Sequence, residues 1–159
     1  MKVIVERSDL LKAMSRAQSI VERRTTIPIL SNVLIEAVQG KISLRTTDLD
    51  IEIVESVNAS VEQDGNTTVG AHTLYDIVRK LPDGSAIQLN SDQVSMRLEV
   101  KAGRSRFSLA TLPREDFPIM ANAEYDSSFS VAPKVLHRLF EKTKFAINAP
   151  RSQGNGNNV

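Results

Sequence analysis

The stretch Gly103–Pro118, GRSRFSLATLPREDFP, decides how the fold of this chain is interpreted. After a turn glycine, a predicted strand over Arg104–Leu109 alternates between polar and apolar residues. A Leu-Pro pair ends this strand, and an acidic, aromatic loop follows it. Arginines on one face and apolar residues on the other suit an edge strand that meets a partner. A plain edge strand with solvated arginines is the alternative.

The rest of the chain repeats one unit, in which a short strand ending in Val leads into a helix. The three units start near Val5, Val69 and Val131, which are 64 and 62 residues apart. A fixed period of this size indicates a repeated supersecondary unit. The first two periods each contain a strand, a helix and three strands. We therefore predict an α+β fold, with two βαβββ halves in one domain over residues 1–124 and a second domain that begins over 128–147.

Helical spacing of apolar residues predicts helices over Ser8–Val21, with Ser8 as the N-cap, over Thr73–Leu81 and over Lys134–Lys144. Alternation and turn residues predict the remaining strands: Lys2–Val5, Asn32–Val38, Lys41–Thr47, Ile51–Val57, Thr67–Gly70, Ala86–Asn90, Gln93–Val100 and one that begins at Ser128. Tight turns are predicted at Gln39-Gly40, Ser91-Asp92 and Ala102-Gly103. Residues 121–127 are the predicted linker, and the polar residues 148–159 are a predicted disordered tail.

Composition indicates a cytoplasmic globular protein: 41% of the 159 residues are hydrophobic, 25% are charged and none is cysteine. No membrane-spanning run or signal peptide is present, so no membrane partner is expected. The net charge of +1 conceals a segregation of charge. Residues 1–30 carry six cations and three anions, whereas residues 31–66 carry two cations and seven anions. Such a distribution is typical of a protein that contacts a polyanion on one surface.

Each predicted helix combines an apolar stripe with cations. Lys12 and Arg16 are four residues apart on the first helix, Arg79 ends the second, and Arg138 lies between Lys134 and Lys142 on the third. If the three helices lie on one side of their sheets, these cations form one surface for a phosphate backbone, without reading of the base sequence. Amphipathic helices that simply turn lysine and arginine to water are the alternative.

Signals for catalysis are weak. Asp48, Asp50 and Glu52 alternate, and on a strand they would point one way and could hold divalent metal for a nuclease. The alternative is an outward strand face, with Leu49, Ile51 and Ile53 turned to the core. Neither His72 nor His137 lies in a metal-ligand pattern, and nucleotide-binding and nucleophile motifs are absent. We therefore expect no enzyme activity, no metal and no cofactor.

Together with Thr26–Asn32 (TIPILSN) and Thr46–Glu52 (TTDLDIE), the opening stretch resembles the bacterial sliding clamps, the beta subunits of DNA polymerase III. The resemblance covers about Met1–Ile147 without large gaps. It implies a ring of repeated domains whose helices line a central hole. Such a ring encircles duplex DNA, tethers the replicative polymerase and catalyses nothing itself.

The resemblance also assigns individual positions. Arg24 matches a residue that contacts the DNA backbone. His72 occupies a second contact position, although the family often has arginine followed by lysine where this chain has His72-Thr73. Four residues match the strand at the subunit boundary of a head-to-tail dimer: Arg104, Arg106, Phe107 and Leu109.

The sequence departs from the family in length, because members have three domains. The pocket that recruits the polymerase and clamp loader lies in the later domains, so we expect it to be missing here. We expect this shortened form not to close a ring alone, and expect the apolar face of helix Lys134–Lys144 to have little to cover it. Three functions stay open: the clamp region itself, a metal-dependent nuclease, and a regulator that pairs with a full-length clamp through Arg104–Leu109.

Overall fold

The computed structural model describes residues 1–23, 25–92, 94–120 and 129–147. The chain divides into two compact units, residues 1–121 and 122–159. The first unit contains helices α1 (Arg7–Ala17) and α2 (Ala71–Lys80), and the second contains α3 (Pro133–Ile147). The strands are β1 (Lys2–Glu6), β2 (Asn32–Val38), β3 (Lys41–Thr47), β4 (Glu52–Asn58), β5 (Ser60–Gln63), β6 (Gly65–Gly70), β7 (Ala86–Asp92), β8 (Arg97–Ala102) and β9 (Ser105–Ala110).

The first unit has the predicted α+β fold with two βαβββ halves, β1-α1-β2-β3-β4 and β6-α2-β7-β8-β9. Its strands form two antiparallel sheets, in the orders β5-β1-β7-β8-β9 and β4-β3-β2-β6. Each half therefore contributes its first strand to the sheet of the other half. This exchange interlocks the halves into one folding unit, because neither sheet is complete without a strand from both.

The core lies where the inward faces of both sheets meet the apolar faces of α1 and α2. Leu10 and Met14 of α1 and Leu74 and Val78 of α2 are fully buried there. Each such side chain contributes about 1.5–3 kcal/mol on burial. A smaller cluster joins Ile29, Leu30, Leu34 and Phe117, so two of the motifs singled out in the sequence pack against each other.

Helices α1 and α2 contact each other, and a hydrogen-bonding side chain bridges each end of the pair. Both bridges join the start of one helix to the end of the other, so the two helices run antiparallel. At one end Arg7, the first residue of α1, donates from Nε to Val78 O (3.1 Å) and from Nη2 to Arg79 O (2.8 Å) of α2. It also pairs with Asp83. At the other end His72, near the start of α2, lies 2.8 Å from Val21 O, just beyond α1.

The first helix begins differently from the prediction. Ser8 is not the N-cap; Glu6 occupies that position and makes no side-chain capping bond. The main-chain N–H of Arg7 donates to Ser85 O (2.9 Å), so a distant loop satisfies one of the N–H groups in the first turn that have no partner within the helix. The helix ends at Ala17 and a 3-10 turn, Gln18–Ile20, completes the predicted span.

Several strand and turn predictions were wrong at their ends. Ser91-Asp92 is not a turn, because both residues pair with β8, at Leu98 and Arg97. The predicted strand over Gln93–Val100 starts only at Arg97, and Gln93 lies outside the described residues. Strand β5 was missed because its sequence, SVEQ, is too polar to show a strand pattern.

The Gln39-Gly40 turn is confirmed: both residues have positive φ, 49° and 79°, between the paired Val38 and Lys41. A two-residue loop with this backbone matches the right-handed strand twist, and glycine adopts it without strain. In the second unit, residues 129–132 are not in a strand, and the predicted strand start at Ser128 lies outside the described residues. The linker over 121–127 and the tail over 148–159 lie outside them too. None of the described helices is long and apolar enough to cross a membrane.

Candidate nucleic-acid surface and partner edge

Helix α1 turns Lys12 and Arg16 to solvent, on the side opposite to its buried residues. Arg16 is paired with Glu55 of β4: Nε lies 2.6 Å from Oε1 and Nη2 lies 2.6 Å from Oε2. This contact raises the pKa of Arg16 and lowers the pKa of Glu55. Much of the charge of Arg16 is therefore neutralised within the protein. Lys12 has no ion-pair partner among the residues that the structure describes.

Helix α2 ends in two exposed cations, Arg79 and Lys80. The Nη2 atom of Arg79 lies 3.2 Å from Asp76 Oδ1, and its guanidinium carbon lies 5.7 Å from the centroid of the Tyr75 ring. Both cations are in the last turn, where positive charge interacts favourably with the helix dipole. Arg79 is thus held loosely on the surface by two exposed contacts, which a stronger anion can replace.

His72 does not present a free nitrogen to solvent. Its Nε2 bonds to Val21 O, and its Nδ1 is buried without a hydrogen-bond partner in the described parts of the chain. Because a carbonyl oxygen only accepts, the proton of this bond is on Nε2. The direct phosphate contact that the resemblance implies is not available to either nitrogen in this geometry.

The segment that follows α1 carries the other predicted contact. Arg24 lies outside the described residues, so the structure says nothing of its side chain. Its neighbour Arg23 is exposed. The hydroxyl of Thr25 accepts a hydrogen bond from the Ile27 N–H (3.1 Å), and Ile29 and Leu30 are buried just beyond. The arginine-bearing segment is therefore held at Val21 before it and at Ile29 after it.

Arg138 lies on α3, which belongs to the second unit. It is exposed, as are Lys134 and Lys142 one turn away on either side. The apolar residues of α3 are exposed as well: Val135, Leu136, Leu139 and Phe140. The structure thus brings Lys12, Arg16 and Arg79 onto adjacent helices of one unit and leaves Arg138 on a separate one.

Among the strands that the structure describes, β9 forms one edge of the five-stranded sheet and pairs only with β8. Phe107 and Leu109 lie opposite Val100 and Leu98, which are both fully buried, so the two side chains face the core. Phe107 is nevertheless 37% exposed, because no strand of the described residues lies beyond β9. An exposed aromatic ring on an unpaired strand edge is suited to burial against a partner.

The two arginines near this edge, Arg104 and Arg106, do not face the core as Phe107 and Leu109 do. Arg104 is in the turn with Gly103 and not in the strand, a correction to the predicted strand start. Arg106 points to the outer face, where Nε donates to Glu99 Oε1 (2.8 Å). Lys101 also pairs with Glu99 (2.8 Å), and the two cations, Lys101 first, lower the pKa of that carboxyl.

The edge of the other sheet is built differently. On β4 the inward position opposite buried Leu44 is Glu55, which pairs with Arg16. The corresponding position on β9 is Phe107, opposite buried Val100. A charged side chain turned inward discourages the pairing of an edge strand with another chain, whereas an exposed Phe favours it.

The acidic stripe does not form. Asp48 and Asp50 lie in the turn between β3 and β4, and Asp48 Oδ1 accepts bonds from the N–H groups of Asp50 (3.0 Å) and Ile51 (2.7 Å). These bonds lower the pKa of Asp48. Glu52 instead pairs with Arg45 (2.7 Å). No group of three acidic or histidine side chains within the described ranges could hold a metal ion, so the geometry gives the nuclease hypothesis no support.

The alternative prediction, an outward acidic strand face with Leu49, Ile51 and Ile53 turned to the core, was wrong in part. Leu49 and Ile51 are exposed and do not turn to the core. Leu49 has a φ of 80°, a backbone that a leucine adopts only under constraint. The constraint comes from Thr47 Oγ1, which accepts a bond from the Leu49 N–H (3.0 Å), and from the bonds to Asp48.

Two functional side chains were missed at the level of sequence. Glu55 could have been found, because it follows Ile51 and Ile53 and precedes Val57 in the alternation that was predicted to face the core. An acid at such a position indicates a partner cation. Arg7 carries no local signal, since its acceptors lie 71 and 72 residues further along the chain.

The model of a family described as "DNA polymerase III beta subunit, N-terminal domain" matches residues 1–121. A "Beta sliding clamp" of Caulobacter vibrioides is 47% identical over 153 residues, which are 96% of this chain and 41% of that protein. Its Escherichia coli K12 counterpart is 39% identical over 150 residues, covering 92% and 40%.

Solved structures with a similar fold belong to the same family as these relatives. The structure titled "Crystal structure of DNA polymerase sliding clamp from Caulobacter crescentus" superposes with a TM-score of 0.90 at 47% identity. The match covers 96% of this chain and 41% of that one. The chain thus spans about 41% of the length of the curated Caulobacter relative that it matches.

Proposed function

This chain belongs to the family of the DNA polymerase III beta subunit, and from that premise we propose that it forms the N-terminal part of a bacterial sliding clamp. Such a clamp is a processivity factor of DNA replication and is not an enzyme. The proposed ring encircles duplex DNA, with its helices toward the hole and its sheets outside. DNA, a second clamp protomer, the polymerase and the clamp loader are the proposed partners of the assembled protein, in the cytoplasm.

One observation supports the DNA-binding role most directly. Helices α1 and α2 lie side by side, are bridged at both ends, and carry the exposed cations Lys12, Arg79 and Lys80. Cations on helix surfaces meet phosphates and read no bases, as sliding requires. We propose the same role for Arg16, Arg24 and Arg138, with Arg16 weakened by its pairing with Glu55.

The salt dependence of duplex binding tests this role. The chain should bind two unrelated duplexes equally and weakly, and affinity should fall linearly with salt on logarithmic axes. Replacing Lys12 or Arg24 by Ala should reduce the slope by about 0.9 for each phosphate that the variant no longer neutralises, equally for both duplexes. Fluorescence anisotropy between 50 and 200 mM salt, roughly the range over which such binding differs, measures this.

A matched control distinguishes DNA binding by the cations of α1 and α2 from attraction by the net charge of the protein. Lys41→Ala removes one exposed cation from the face of β3 opposite to its buried residues Ile42 and Leu44, and should leave affinity and slope unchanged. Equal reductions in affinity for Lys41→Ala and Lys12→Ala would show attraction by net charge alone. Weaker binding to only one duplex would contradict phosphate contact, because phosphates are the same in both.

We also propose β9 as the edge that meets a neighbouring protomer head to tail, with Phe107 and Leu109 in the contact and Arg104 and Arg106 beside it. The free strand edge and the exposed Phe107 support this role. The same edge would let this chain pair with a full-length clamp and act as a regulator of ring closure. Co-purification with full-length clamp, abolished by Phe107→Ala, would support that second function.

A further inference from the structure

His72 connects two elements that are far apart in sequence. Its Nε2 lies 2.8 Å from the carbonyl oxygen of Val21, 51 residues earlier in the chain. Val21 is buried and ends the 3-10 turn after α1, where its own N–H bonds to Gln18 O (3.2 Å). His72 is the second residue of α2. The bond therefore joins the start of one cationic helix to the exit of the other.

The carbonyl that His72 holds is the last fixed point before the arginines. Val21 is followed by exposed Glu22 and exposed Arg23, and then by Arg24. The next fixed points are the Thr25–Ile27 hydrogen bond and the buried Ile29. Without the bond from His72, the segment would be held on its helix side only through the packing of Val21 and the bond to Gln18.

A phosphate contact by His72 itself is hard to reconcile with these atoms. Nε2 is occupied by Val21 O, and Nδ1 is buried with no partner in the described residues. Binding a phosphate would require the ring to leave Val21. The arrangement resembles a side chain that orients a neighbouring group, and not one that binds ligand.

We infer that His72 is a positioning residue, which holds the Val21 carbonyl at the start of α2 and so fixes the point from which the exposed residues Glu22 and Arg23 leave the helix pair. This inference rests on the proposed DNA-binding function. It assigns the second contact position of the family a different task in this chain, through the Nε2–H bond and not through charge.

Two substitutions separate positioning from phosphate contact. His72→Gln keeps a donor at about the place of Nε2 and carries no charge, whereas His72→Lys supplies a full positive charge but cannot reproduce the ring geometry. Positioning predicts that His72→Gln binds duplex within about twofold of the wild type and that His72→Lys binds about tenfold more weakly, the effect of one hydrogen bond. Phosphate contact predicts the reverse order.

A second readout needs no DNA. In the full chain, nitrogen NMR of the imidazole should show the proton on Nε2, and the Val21 amide should exchange with solvent about tenfold faster in His72→Lys than in the wild type or His72→Gln. Thermal unfolding of both variants checks that each is folded.

The outcomes are distinct. If the wild type binds no duplex but the Val21 amide responds as described, the proposed DNA-binding function is wrong. The His72–Val21 hydrogen bond is then confirmed as structural only. If duplex binding is present and His72→Lys binds as tightly as the wild type, or if His72→Gln is the weaker variant, the positioning role is overturned. An unchanged Val21 amide in His72→Lys overturns it as well.

Discussion

Replacing Arg7 tests how the helix pair is held together. Its side chain is only 13% exposed and bonds two carbonyl oxygens in the last turn of α2, those of Val78 and Arg79. The last carbonyls of a helix lack the usual partner four residues further on, although Val78 O also accepts the Leu81 N–H (3.4 Å). Arg7 thus supplies Arg79 O with a donor and Val78 O with a second one. Its third interaction, with Asp83, involves a side chain that is 93% exposed.

The expected decrease in stability follows from these three interactions. A part-buried bond from a charged donor, such as that to Val78 O, is worth about 1.5–2 kcal/mol. The exposed bond to Arg79 O contributes about 0.5–1 kcal/mol, because water replaces it. The Asp83 pair adds at most about 0.5 kcal/mol, since salt bridges with an exposed partner are weak. Arg7→Ala should therefore lower the free energy of unfolding by about 2–3.5 kcal/mol.

Urea denaturation followed by circular dichroism measures this change, and the transition midpoint should fall by roughly 1 M or more. Arg7→Lys should lose most of the stabilisation, because one ammonium cannot bond both carbonyls as the planar guanidinium does. Asp83→Ala is the control and should cost less than about 0.5 kcal/mol. The reasoning is refuted if Asp83→Ala costs as much as Arg7→Ala, or if Arg7→Lys is as stable as the wild type.

Three further predictions concern the site. Glu55→Gln should tighten duplex binding and steepen its salt slope by about 0.9, because Arg16 gains a free charge; weaker binding in a salt titration would count against this. Phe107→Asp should weaken association through β9 at least about tenfold in sedimentation experiments, whereas Val38→Asp, at another exposed apolar position, should not. The pKa of Asp48 is lowered by the N–H groups of Ile51 and Asp50, so its stabilisation is complete above its unfolded pKa of about 3.9 and is lost as pH falls through the lower folded value. The stability gap between wild type and Asp48→Ala should hence stay constant near neutral pH and close in acid; a gap independent of pH would contradict the hydrogen-bonding account.

Local patterns predicted the elements well and their ends less well. The Gln39-Gly40 hairpin and the polar and apolar faces of α1 follow from residues close together in the chain. The acidic stripe failed because Asp48 bonds the main chain of its own turn, which competes with a strand. Ser91 and Asp92 looked like turn residues, yet pairing with β8 draws them into β7. In both cases hydrogen bonding overrode the local sequence signal, alternation at Asp48 and turn residues at Ser91 and Asp92.

Periodicity in the residues alone was enough to assign the α+β class, the two similar halves and the faces of helices and strands, because side-chain direction repeats every 3.6 or 2 residues. Folding decided which strands pair across the halves and which charges remain available. The exchange of β1 and β6, the Arg16–Glu55 pair and the His72–Val21 bond join residues tens of positions apart. Such interactions depend on how whole elements pack in three dimensions, and no short window of sequence contains both partners.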